Sequence, residues 1–162
     1  MQLFYGAPKD IENWMKLVKQ IRWNFPGLET QDSLEDHKTT VLKFMGKRQA
    51  ICVKVGGEIA GIMLFSRRHN MICCLGVSPN YRRCGIASML MDEALVNLDK
   101  TKKISVNTFR ANDEKGSAPR ALYEKYGFIE DALGEEMGYP TQKYILHPAI
   151  MNQANHRKST NC

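Results

Sequence analysis

No Cys-x-x-Cys pair occurs in this chain, and its cysteines, Cys52, Cys73, Cys74, Cys84 and Cys162, are odd in number with two of them adjacent inside an apolar run. That argues against a disulfide framework or a thiolate metal site, and no metal is expected; it is the thiol usage of a reducing compartment. Nowhere do 18 apolar residues run together, and the opening MQLFYGAPKD lacks a charged start followed by a long apolar stretch. A cytoplasmic protein with neither export signal nor membrane span is therefore expected. Internal repeats, low-complexity tracts and Pro/Ser linkers are missing as well. So are GxxxxGK[ST] and GxGxxG, which disfavours ATP and NAD as ligands. No basic run is interleaved with aromatics, so a nucleic-acid partner is not expected.

What is present fits one domain of ordinary size: 162 residues, 43% of them apolar, enough to fill one core. We expect that domain over residues 1–146 and a polar tail over 147–162, which could cross to a partner subunit in a homodimer. The net charge of +6 gathers in SRRHN at 66–70, YRRCG at 81–85 and DKTKK at 99–103. The first and third read as solvated loops. The second abuts a predicted helix start, where free amide N–H groups and a partial positive charge already favour an anion.

Apolar spacing predicts a helix after Asp10 carrying Ile11, Trp14, Leu17, Val18 and Ile21, stopped by Pro26-Gly27. A second helix is predicted from Asp32, with Glu35 completing a capping box, to Gly46. AICVKV and EIAGIMLF flank Gly56-Gly57 as a tight hairpin, and MICCLGV supplies a third strand. A helix from the YRRCG loop buries Ile86, Met89, Leu90, Ala94, Leu95 and Leu98, and ISVNTF at 104–109 follows as a strand. Pro119 starts another helix whose inner face is predicted to hold Leu122 and Tyr126, Gly127 ends it, and FIED and QKYIL close the set. The order ααβββαβαββ implies an α/β fold of mixed α+β type: a central mixed sheet with helices on both faces. Ligands of such sheets sit at strand ends where helices begin, which is where Arg82 to Ala87 fall.

Gly85 removes a side chain where a phosphate oxygen would approach backbone N–H groups, and Ala87 keeps the next exposed position small. On its own the hexapeptide reads equally as an arginine-capped loop. VSPNYRRCGIASMLM, however, resembles the acyl-CoA pyrophosphate motif [RQ]-x-x-G-x-[GA] of the GCN5-related N-acetyltransferase (GNAT) superfamily, with Arg82, Gly85 and Ala87 in the defining places. APRALYEKYGF at 118–128 resembles that family's A-x-x-x-L-Y-x-K-x-G-F segment. The resemblance spans most of residues 10–146 and is specific within 71–128.

It implies a GNAT-like sheet and acetyl transfer from acetyl-CoA to a primary amine on a small molecule or peptide. Two strands, 71–77 and 104–109, would splay apart around the pantetheine arm. Leu75, Gly76 and Val77 would meet that arm, the Leu75 backbone N–H facing the thioester oxygen. Arg82, Arg83, Cys84, Gly85, Ile86, Ala87 and Ser88 would hold the pyrophosphate. Tyr123 occupies the proton-donor position; with Leu122 and Tyr126 taken as the buried face, it is expected to point away from the core. Gly76 within a strand marks a bulge or a close approach.

The sequence also departs from the family. No carboxylate stands in Met71–Leu75, so the base that deprotonates the acceptor is open among Glu29, Glu35, His37 and Glu114. Lys115 replaces a common Asn and would reach a CoA phosphate or stay solvated. Cys84 beside arginines allows a rival acyl-cysteine relay. RWNFPGLETQD is expected to border the acceptor, Trp23 and Phe25 as apolar walls and Glu29 as the place for a cation. A non-catalytic acyl-CoA-binding module, and an acetyltransferase acting on aminoacyl-tRNA or a protein amine, remain alternatives.

Overall fold

The structure, a computed structural model, describes residues 1–148; most of the predicted tail, residues 149–162, lies outside the described residues. The elements run β1 (Gln2–Tyr5), α1 (Ile11–Ile21), α2 (Gln31–Gly46), β2 (Ala50–Val55), β3 (Glu58–Ser66), β4 (Met71–Val77), α3 (Ile86–Asn97), β5 (Ile104–Phe109), α4 (Ser117–Lys125), β6 (Ile129–Glu136) and β7 (Tyr139–Leu146). The predicted order is there in full, with one strand in front of it that the sequence had not disclosed. β1 is four residues of half-exposed edge, antiparallel to β2, too short to carry a period.

The strands form one sheet in the order β1-β2-β3-β4-β5-β7-β6. Among the described residues only β4 and β5 pair in parallel; the other neighbours pair antiparallel. Helices cover both faces, as a mixed sheet with crossovers requires. One core lies under α3 and α4 and contains Ile86, Leu90, Met91 and Tyr123 against Ile51, Met63, Phe65 and Ile72. The other lies under α1 and α2, with Trp14, Val18, Ile21, Leu34 and Val41 against Cys52, Ile62 and Leu64. Strand β3 feeds both cores and is buried from Ile59 to Ser66, which is why it reads as a continuous apolar run.

Two local predictions need correction. α2 begins at Gln31, capped by Thr30, whose hydroxyl accepts the Ser33 N–H at 3.0 Å. Ser33 Oγ returns a bond from the Thr30 N–H; the capping box is thus Thr30/Ser33, two residues upstream of the one built on Asp32 and Glu35, because a β-region residue must precede the first helical turn. α4 is also rolled relative to the expectation. Tyr123 is 4% exposed, its ring 5.9 Å from Phe128 and 6.3 Å from Tyr144. Leu122 and Tyr126 are only half-buried, because the Tyr126 hydroxyl is drawn to the surface of α3, where it donates to Asp92 Oδ1 at 2.7 Å.

Candidate functional site

β4 and β5 pair through Met71↔Ser105 and Ile72↔Val106 and no further. Beyond those pairs β4 stays bonded to β3 and β5 to β7, so the sheet opens between 73–77 and 107–109. Where it opens, β4 carries a bulge: Phe65 faces Ile72 while Leu64 faces Cys74, leaving Cys73 as the extra residue. Ile72 and Leu75, three apart, consequently pack on the same side, which a regular two-residue period forbids. Strand edges released in this way present unpaired N–H and C=O groups to whatever enters the gap.

The predicted bulge or close approach at Gly76 resolves into the second. A Cβ there would lie 2.3 Å from Ile21 Cδ1 and 3.3 Å from Phe25 Cζ. The missing side chain lets the end of α1 and the α1–α2 connector settle onto β4. Gly76→Ala is expected to cost about 1–3 kcal/mol through overpacking and to lower Tm by roughly 3–10 °C; an unchanged melting curve would contradict it.

The gap belongs to a cavity of about 1050 Å³, at the large end for small-molecule sites. One end is cationic and built from main chain. Ser78 caps the turn Pro79–Tyr81, and its hydroxyl accepts the Asn80 N–H. Arg83 (φ +59°) and Gly85 (φ +80°) then take left-handed conformations that turn the chain into α3. Gly85 is the residue before the first helical turn and no side chain caps it. The first intrahelical bond runs from the Met89 N–H to the Gly85 carbonyl, which leaves the N–H groups of Gly85, Ile86, Ala87 and Ser88 without helical acceptors. All four residues, with Arg82 and Arg83, line the cavity. A Cβ on Gly85 would meet nothing within 4 Å, so the cradle is open above the helix start.

Cys84 is the exception in this loop. It lies off the cavity wall, and its thiol donates to the Arg82 carbonyl at 3.5 Å. The acyl-cysteine relay therefore loses its geometric basis, since the thiol faces away from the space an acyl group would occupy.

Along the gap, Leu75, Gly76, Val77 and Tyr123 line the cavity with Cys73 and Cys74. Burial, with the Cys74 thiol next in effect, pushes the Tyr123 phenol well above its usual value. Desolvation first, then neighbouring charge from Glu136 among others, pushes Cys73 up to about 11 and Cys74 up to about 12. Any anion formed here is short of solvent, and thiols and phenols alike hold their protons.

At the far end the walls come from the α1–α2 connector, α2 and the β6–β7 turn. Phe25 lines the cavity as expected. Trp23 does not: its side chain is 66% exposed with Arg22 stacked on its ring at 4.6 Å, so it is no acceptor wall. Glu29 also stays outside, its carboxylate accepting the Gly27 N–H at 3.2 Å. Lys115 lies at this end of the cavity wall, Nζ 3.5 Å from the Trp23 carbonyl and 6.0 Å from the Tyr139 ring. Of the four base candidates, His37 and Glu114 line the cavity, while Glu29 and Glu35 do not. Burial lowers the His37 pKa, so the imidazole is neutral at pH 7. Asp36 and Glu136 also line this end, and both escaped the sequence reading. The only signal for Glu136 was its place just before Met137-Gly138, a turn of two positive-φ residues that folds the end of β6 back over the cavity.

Known proteins fit this architecture. The acetyltransferase (GNAT) domain model matches residues 47–130. A GNAT-family acetyltransferase from Bacillus cereus superposes with TM-score 0.69 at 18% identity, over 90% of this chain and 96% of that one. An N-acetyltransferase from Staphylococcus aureus gives 0.71 at 18% over 90% and 100%. The PaiA N-acetyltransferase from Thermoplasma acidophilum, solved with coenzyme A, gives 0.63 at 15% over 88% and 96%. At these identities the likeness carries the fold alone. No curated protein matches the chain.

Proposed function

Because the chain belongs to the GNAT acetyltransferase family, we propose that residues 1–146 form one transferase domain that moves acetyl from acetyl-CoA directly to a primary amine. The observation that carries this is the continuity of one cavity from the free N–H groups of 85–88 to Tyr123 and on to His37 and Glu136. The pyrophosphate rests on those amides, with Arg82 and Arg83 adding full charges. The pantetheine arm follows the opened edge of β4, and the Leu75 N–H meets the thioester oxygen. A GNAT relative bound to coenzyme A supports the choice of cofactor.

The acceptor arrives as an ammonium, attracted by Asp36 and Glu136. His37, its own pKa lowered by burial, takes its proton and passes it on to solvent; for an alkylamine whose pKa lies about three units above neutral pH this deprotonation contributes about 4 kcal/mol to the barrier. The amine nitrogen then bonds to the thioester carbon, the C–S bond breaks, and the departing thiolate takes the phenolic proton of Tyr123. The second N–H proton, shed as the adduct collapses, restores the phenol through solvent. A phenol with a raised pKa is a weak acid, but its partner is raised too. The same surroundings push Cys74 up to about 12, so a CoA thiolate released there is a correspondingly strong base.

Titration with CoA, followed by CoA release corrected for hydrolysis over a panel of small amines, amino sugars, peptides and aminoacyl-tRNA, tests the proposal. Binding with a dissociation constant between about 1 μM and 1 mM and release with at least one amine are expected. Absent binding would overturn it. Binding without release from any acceptor would favour a non-catalytic acyl-CoA module.

A further inference from the structure

Two of the three basic clusters, expected from the sequence as separate solvated loops, are brought together by the fold. β3 ends where β4 begins, Ser66 facing Met71, and β5 begins beside them, Met71 facing Ser105. β2 starts at the same level, Ala50 facing Leu64. The α2–β2, β3–β4 and α3–β5 loops therefore share one end of the sheet. The first carries Lys47 and Arg48, the second Arg67 and Arg68. The third carries Lys100, Lys102 and Lys103, and all seven cations are exposed. Against them the same loops hold one carboxylate, Asp99, whose Oδ1 already accepts the Thr101 N–H and hydroxyl. Among the described residues none of the seven cations forms an ion pair. The three loops are also tied to one another. Gln49 Oε1 accepts the Arg67 N–H at 2.8 Å, and the Arg67 guanidinium donates to the carbonyls of Lys47 and Arg48, each at 3.1 Å. Asn70, 9% exposed, accepts the Asp99 N–H at 2.8 Å and donates to the carbonyls of Asp99 and Lys103 at 2.9 and 3.0 Å. The cations stand on a platform that is ordered before anything binds, which spares a partner the cost of ordering the loops.

We propose that this face binds the phosphate backbone of a nucleic-acid duplex without reading its sequence, and holds the protein on that partner by the end of the sheet opposite the cavity. Three features select the partner. The loops expose no large apolar side chain, and Val96 on the adjoining last turn of α3 stands alone, so a bilayer would be held by charge with nothing to insert. Arg48 lies over the Tyr5 ring at 4.4 Å and Arg67 over Phe65 at 5.3 Å, so neither ring is free to stack on the bases of a single strand. A duplex presents one negative charge per about 1.7 Å of its axis, dense enough to meet cations drawn from three adjacent loops, and contacts to phosphate need no helix in a groove. The cations are shared among three loops, so no single run of sequence announces the face. The pyrophosphate cradle follows the far end of β4, whose seven residues span about 20 Å, so the duplex and the coenzyme occupy opposite ends of the sheet.

The inference is independent of the acetyltransferase reading, and its test needs no turnover. Fluorescence anisotropy follows the protein on labelled 20-base-pair duplexes of mixed sequence, one of DNA and one of RNA, with and without saturating CoA. Binding is expected with a dissociation constant of about 1 μM at 0.05 M salt. With four to five phosphates met, the slope of log K against log salt should be about −4, which weakens binding about 80-fold by 0.15 M. The two duplexes should agree within about threefold, because only phosphates are touched, and CoA should leave both unchanged. Arg68→Glu with Lys102→Glu reverses two exposed cations that make no side-chain hydrogen bond among the described residues. That variant should melt like the parent, bind at least 20-fold more weakly and show a slope near −2. Lys16→Glu with Lys19→Glu changes the net charge equally but on the exposed side of α1, and should cost less than threefold. Equal losses in the two double variants would mean a response to overall charge and overturn the face. Displacement of the duplex by CoA would assign it to the cradle and overturn the proposal as well. So would failure to bind either duplex at 0.05 M salt, whether or not vesicles of 30% phosphatidylserine in phosphatidylcholine capture the protein.

Discussion

Tyr123→Phe is expected to lower turnover about 10²- to 10⁴-fold, the usual contribution of a positioned proton donor, while CoA binds within about threefold of its original affinity. The substitution is informative because it removes one oxygen and leaves the packing in place. The ring holds its position through Phe128 at 5.9 Å and Tyr144 at 6.3 Å, contacts that phenylalanine reproduces. If Tyr123 served only to fill the core under α4, the variant would turn over like the parent and melt slightly differently, the reverse of the expected pattern. The pH profile adds an independent check. Burial raises the phenol above tyrosine's ordinary pKa of about 10, and a raised pKa keeps the acid form present to higher pH. The parent's kcat should therefore show no alkaline fall up to about pH 10, while acceptor deprotonation continues to favour the reaction. A fall centred near pH 8 or 9 would mean that some other group donates the proton.

The sequence disclosed the cationic end of the cavity more completely than the acceptor end, and the difference is one of locality. Arg82, Gly85 and Ala87 act through a helix start within seven residues of chain, so spacing alone states the geometry. The acceptor end is assembled from three segments far apart in the chain. Within the connector, Trp23 and Phe25 are equally apolar, and a loop without a period gives no sign of which faces inward; packing of Phe25 against Gly76 decides it. Glu136 lies beyond the FIED segment expected as a strand, and β6, which runs on to it, is exposed along its whole length. Only the turn at Met137-Gly138 brings it to the cavity. The direction of Tyr123 was misjudged for another reason: helical spacing fixes relative angles around α4 but not its absolute roll, and the bond from Tyr126 to Asp92 helps set that roll. The open edge of β4 was implied by the family resemblance and not by the residues themselves, which marked only Gly76, because the bulge at Cys73 depends on what β3 offers opposite.

The second large effect is expected at the other end of the cofactor, where Ala87→Glu should weaken CoA binding at least 100-fold, about 2.7 kcal/mol, without loss of stability. The two readouts move in opposite senses for one electrostatic reason. α3 has no acidic residue in its first turn, and a carboxylate placed there interacts favourably with the helix dipole by about 0.3–1 kcal/mol. The apo protein should melt at the same temperature or slightly higher. That carboxylate would stand among the free N–H groups of Gly85 to Ser88 and beside Arg82 and Arg83, taking the place of the pyrophosphate and repelling it. Ala87→Gln supplies the same bulk without the charge, so the difference in affinity between the two variants measures the electrostatic part. That difference should shrink between 0.05 M and 0.5 M salt as screening shortens. If the coenzyme's phosphates bound elsewhere on the protein, Ala87→Glu would titrate with CoA like the parent at every salt concentration, and the assignment of the cradle, with the direction of the whole cofactor along the cavity, would fall with it.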